Sequence, residues 1–131
     1  MRKFYAEVKK LDNNEVKIIG HRTRGANPVY YSDNPIIIYK DHISWIIETL
    51  KAKSEPDYHK EWFEDIEDHK DYSLSIKTTI NRGGSSHLDI IPMWNPDRDD
   101  SRVLHIPYFD YADLMKSLEP FITLLEDFLK N

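Results

Sequence analysis

A chain of 131 residues is long enough to bury a core of its own, and with no cysteine it holds no disulfide, thiolate zinc ligand or thiol nucleophile. The net charge of −5 is unevenly spread: residues 1–53 carry ten Lys/Arg against six Asp/Glu, residues 54–71 two against eight, and residues 72–131 six against nine. No apolar run approaches the roughly 18 residues of a spanning helix, and MRKFYAEVKK lacks the apolar stretch of a signal peptide, so a cytoplasmic protein with no membrane partner is expected.

In chain order, Phe4, Ala6 and Val8 alternate with Tyr5, Glu7 and Lys9, the period of a half-buried strand. LDNNE is a hairpin turn, because Asp and Asn tolerate positive φ. Val16–His21 reads as the returning strand, HRTRGANPVYYSDNP as a long loop, and Ile36–Tyr39 as a third strand. Asp41 is placed to cap a helix whose apolar positions Ile43, Ile46, Ile47 and Leu50 fall at helical spacing. In SEPDYHKEWFEDIEDHKD, Ser54 can cap, Pro56 suits a first turn, and Tyr58, Trp62 and Ile66 recur every four residues, which predicts a short acidic helix.

A similar order then follows. Tyr72, Leu74 and Ile76 alternate, NRGGSS supplies a glycine turn, and Leu88, Ile90 and Pro92 mark the return strand. NPDRDDS is a polar loop, Val103–Tyr108 a strand, and Asp110 a second N-cap. The last helix should bury Tyr111, Leu114, Met115, Leu118, Phe121, Ile122, Leu125 and Phe128, with Pro120 kinking or dividing it. The stretches PIIIYKDHISWIIETL and LHIPYFDYADLMKSL both run from an apolar strand through Tyr-x-Asp into an amphipathic helix. The expected fold is therefore α+β: antiparallel sheets each backed by a helix, as two pseudo-symmetric βββα halves. Residues 1–131 form a single domain in this reading, with half-repeats 1–53 and 72–131 and an acidic helical linker over 54–71.

Lys3, Phe4, Tyr5, Glu7, Val8, Lys9, Lys17 and Ile18 in KFYAEVKKLDNNEVKII resemble the opening of a Pur repeat, the unit of the purine-rich-element-binding proteins. The NRGG turn and the step at Tyr108–Asp110 look like a divergent second copy, and the plan is also similar to the whirly class of single-strand-binding coactivators. The resemblance implies single-stranded DNA or RNA as partner. The family's repeat has four strands where three are legible here, and its first turn has a glycine that LDNNE lacks.

Such binding needs cations along a surface and aromatic faces for bases. Lys3, Tyr5 and Lys9 share the polar side of the first strand; Lys17 and His21 continue it, and Arg22, Arg24, Tyr30 and Tyr31 stand in the adjoining loop. Lys77, Arg82 and His87 occupy comparable places in the second half. A different class is a small acidic inhibitor or immunity-type protein that blocks a basic protein partner. Trp62 and Phe63 would be its anchors, and Glu64 and Asp65 its negative field. An enzyme is the third class. Six histidines occur, yet neither HxxxH nor HExxH does, and no phosphate loop, nucleophile elbow or dinucleotide fingerprint is present. His87 and Asp89 lie two apart on a strand and can pair, and His105 reaches them only if strand order allows. Asp97, Asp99 and Asp100 could add oxygen ligands, although DRDD reads more simply as a solvated loop. The sequence thus assigns no catalytic residue, cofactor or metal ligand. Twofold pairing of two copies would close exposed strand edges, so a homodimer is compatible with the pattern.

Overall fold

The N-terminal alternation becomes a hairpin of β1 (Phe4–Lys10) and β2 (Glu15–Arg24), paired from Phe4 opposite Arg22 to Lys10 opposite Val16. The computed structural model describes residues 3–24, 27–53, 62–79 and 86–131. At the hairpin tip Asn13 and Asn14 have φ of 60° and 62°, and Glu15 N–H donates to the Asp12 carbonyl at 3.2 Å. Two consecutive left-handed residues make a type I′ turn, whose twist matches that of the strands it joins, and asparagine does this without glycine.

The stretch expected as a loop is largely sheet. β2 extends to Arg24, and β3 (Asn27–Ser32) folds back on its C-terminal part, while β4 (Ile36–Tyr39) pairs with its N-terminal part. The turn formers Gly25, Asn27, Pro28 and Asp33 surround Val29-Tyr30-Tyr31. That β-favouring run gains a ladder once β2 offers its edge. A 3₁₀ turn over Lys40–His42 leads into α1 (Ile43–Lys53), with Asp41 inside the turn rather than capping the helix.

A second antiparallel sheet has the order β5 (Trp62–Asp68), β6 (Tyr72–Thr79), β7 (Ser86–Trp94), β8 (Leu104–Tyr108). The acidic helix expected over 54–71 is therefore corrected: residues 62–68 form an edge strand, paired from Trp62 opposite Thr79 to Asp68 opposite Ser73. The helical stripe rested on three residues, and the free edge of β6 satisfies a run of backbone groups at once. Ile66 consequently points to solvent, 59% exposed. Ser54, Pro56, Tyr58 and the turn glycines Gly83 and Gly84 lie outside the described residues.

α2 (Tyr111–Lys130) starts at Asp110, whose carboxylate accepts from Asp113 N–H at 2.8 Å. Asp113 in turn accepts from Phe109 N–H at 2.8 Å, a reciprocal cap. The helix runs unbroken through Pro120, which sits on its exposed side, where the carbonyl it leaves unpaired can reach water.

The inner faces of both sheets and the apolar stripes of both helices share one core, including Ile18, Ile38, Ile46, Leu50, Leu74, Ile90, Ile106, Leu118 and Leu125. β2 packs against β8, β4 against β7, and α2 against β1 as well as β8. Phe4 meets Phe121 edge-to-face at 5.8 Å. Gly20 permits the close approach of β2 to β8: a Cβ there would lie 2.5 Å from Leu104 Cδ1. Among the described residues are thus two antiparallel four-stranded sheets and two α-helices, an α+β fold. None of the described helices is long and apolar enough to cross a membrane.

Candidate functional site

Directly opposite residues of an antiparallel pair share a face. Tyr5 lies opposite His21 and His21 opposite Ser32, while Thr23 lies opposite Tyr30. By register these side chains share the face of the first sheet opposite Phe4 and Ile18, where Tyr5 and Tyr30 are exposed and Thr23 is buried. Tyr5 stacks on His21 with ring centres 4.5 Å apart and meets Tyr30 edge-on at 5.1 Å. His21 is held from both ends, by the Ser32 hydroxyl on Nδ1 at 2.6 Å and the Glu7 carboxylate on Nε2 at 3.1 Å. Tyr5 and Tyr30 remain 50% and 42% exposed. The β1–β2 ladder continues beyond Phe4: Thr23 N–H donates to the Lys3 carbonyl, and Lys3 N–H to the Thr23 hydroxyl at 2.9 Å. Alternation then places Lys3 on the Tyr5 side. Further along that side Lys9 lies directly opposite Lys17. Neither ammonium has a carboxylate partner among the described residues.

The remaining sequence candidates separate. Arg22 is the cross-strand neighbour of Phe4 on one side and of Tyr31 on the other, so Arg22 and Tyr31 belong to the reverse face. Arg22 is neutralised there by Asp33, its Nε 3.1 Å from Oδ2 and its Nη2 3.1 Å from Oδ1. Lys77 and His87 belong to the second sheet. Arg82 lies outside the described residues, as do the side chains of Arg24, Trp62, Phe63, Glu64 and Asp65.

On the second sheet's outer face, Asp89 lies opposite His105 on β8, and His87 stands two residues before it on β7. His105 Nδ1 is 2.6 Å from Asp89 Oδ1, and His87 Nδ1 is 3.2 Å from both carboxylate oxygens. Burial pushes the Asp89 carboxyl up, but the hydrogen bonds from His105 and His87 outweigh it and hold the group below its usual range. The strand order thus joins His105 to the His87–Asp89 pair. Asp100 and Asp99 are instead engaged by Arg98 and Arg102.

One cluster had no sequence signal. At the junction of the two sheets Trp94 stacks on Tyr72 at 4.4 Å and donates from Nε1 to the Ile37 carbonyl at 2.8 Å. The Tyr72 hydroxyl accepts from Tyr39 N–H at 3.2 Å and bonds His42 Nδ1. Arg98 covers the Trp94 ring at 3.9 Å and grips both oxygens of Glu15 at 2.7 Å. Every ring is thus pinned by a backbone or charged group, and the arrangement ties β4 to β6 and β7.

No protein-family model matches the chain, and no curated protein does.

Proposed function

We propose that the protein is a non-catalytic module that binds single-stranded DNA or RNA on the outer face of its first sheet. The observation that carries this reading is the pair of half-exposed rings Tyr5 and Tyr30, packed about His21, with Lys9 and Lys17 further along the same face beyond Glu7 and Ile19 and without a carboxylate partner among the described residues. Bases stack on exposed aromatic faces regardless of sequence, and a cationic row follows the backbone. Like charges held directly opposite on a sheet destabilise it, and a phosphate bridging Lys9 and Lys17 removes that cost.

The direct test is fluorescence anisotropy of labelled oligo-dT and oligo-U of about 12 nucleotides at low and at physiological salt. Three lysines on phosphates give a log–log salt slope of about −2. Absence of binding to either strand at low salt overturns the proposal.

A second reading draws on β5, an edge strand of acidic sequence with Ile66 exposed. A basic protein partner would add a strand there and meet Asp68. Capture of such a partner that is lost when β5 alone is altered, with no oligonucleotide binding, would favour this reading.

A further inference from the structure

We propose that His87, Asp89 and His105 form a binding site for one divalent transition-metal ion of the zinc type. The site lies on the second sheet, apart from the aromatic–lysine surface, and does not depend on the nucleic-acid reading.

The donor set is two imidazoles and one carboxylate, the combination borderline metals such as zinc take from proteins. One ligand atom from each residue falls in a group whose members all lie within 4.8 Å of one another. Ligand atoms of a tetrahedral centre with bonds near 2.05 Å are about 3.3 Å apart. The His87–Asp89 separation of 3.2 Å already suits such a centre, and the His105–Asp89 separation of 2.6 Å must open by a few tenths of an ångström. The two imidazole nitrogens, up to 4.8 Å apart, must also close toward that spacing, and rotation of both histidines about χ1 and χ2 is the freedom available for it. The backbone is fixed, because His87 and Asp89 are two apart on β7 and His105 is Asp89's ladder partner on β8.

Accessibility favours an ion over a closed hydrogen-bonded trio. The Asp89 side chain is 10% exposed, whereas the imidazoles are 33% and 32% exposed. An anion therefore forms the floor of a dish whose rim is two nitrogen donors, with solvent above to complete the coordination shell. On binding, the two N–H to carboxylate bonds give way to two nitrogen–metal bonds and one oxygen–metal bond. The ion displaces the proton from each Nδ1: a neutral imidazole takes one up at Nε2 through solvent, whereas an imidazolium, already protonated there, releases its Nδ1 proton to solvent, so acid weakens the site. Lys77 lies opposite Asp89 on β6 and opposes the ion's charge from that side, which makes the site weaker than a closed structural zinc centre.

The test is calorimetric titration of the untagged protein with Zn²⁺, together with the visible absorption of the Co²⁺-loaded form. One ion per chain is expected, with the d–d bands of a low-coordinate cobalt centre. His87→Gln and His105→Gln each weaken binding at least about tenfold. His42→Gln, in the separate aromatic cluster at the sheet junction, leaves it unchanged. Far-UV circular dichroism of the Gln variants confirms that the fold persists, as expected for side chains one-third exposed. Absence of saturable uptake overturns the proposal, as does uptake that survives the His87→Gln/His105→Gln double variant.

Discussion

Tyr5 is the residue on which the proposed surface turns, since it contacts both His21 and Tyr30 and is the most exposed ring of the three. Stacking of a base on such a ring contributes about 1–3 kcal/mol, so Tyr5→Ala should weaken oligonucleotide binding by roughly 5- to 150-fold. Tyr5→Phe should retain most of it. Tyr31→Ala, on the reverse face, should leave affinity unchanged, and equal losses from both alanine variants would contradict the assignment of faces. Arg98 makes a different prediction. Removing its paired bonds to Glu15 and its cover over Trp94 should cost about 1–3 kcal/mol in denaturant unfolding, a range that allows for its partial exposure. The polar side of β1 was legible in the sequence because a strand's period fixes which residues share a side. Tyr30 could not be separated from Tyr31 in the same way, since their sides depend on a register with β2 that a turn-rich stretch conceals. Nor was Arg98's role legible: Glu15 is 83 residues away, and DRDD looks locally like solvated loop.

Among the elements, β5 departs furthest from expectation. As a strand with Ile66 outward, it should accept Ile66→Lys with less than about 0.5 kcal/mol change in stability. A helix burying Ile66 on its apolar stripe would instead lose several kcal/mol, so equilibrium unfolding of this variant separates the two directly. The helix start at Asp110 is the converse case, where sequence and structure agree. Asp110→Ala should cost about 1 kcal/mol and lower the unfolding midpoint correspondingly. The two Tyr-x-Asp stretches diverge at this point: Asp110 caps its helix, while Asp41 lies in a 3₁₀ turn under Tyr39. Elements with an unbroken local period, β1, β6, α1 and α2, were readable in the chain. β3 and β5 exist because a neighbouring strand offers unpaired backbone, which is a property of the assembled sheet.

For the whole molecule, the buried tyrosines at the sheet junction and helix start set the response to alkali. Burial pushes Tyr108 up to about 12. Burial also raises Tyr72, and the bond to Asp71, with burial, raises Tyr39. The unfolded chain loses these protons near pH 10, so above that pH the folded state binds more protons than the unfolded. Stability should therefore hold below about pH 10 and fall between about pH 10 and 12, and Tyr108→Phe should flatten part of that fall. A urea midpoint unchanged between about pH 8 and 11 would contradict the burial of these phenols. The central claim concerns which surface meets a nucleic acid, and amide chemical-shift mapping during titration with unlabelled oligo-dT tests it most directly. The account predicts shifts concentrated at Lys3–Lys9, Lys17–Thr23 and Val29–Ser32, with β5–β8 silent; shifts confined to the second sheet, or none at saturating oligonucleotide, would contradict it.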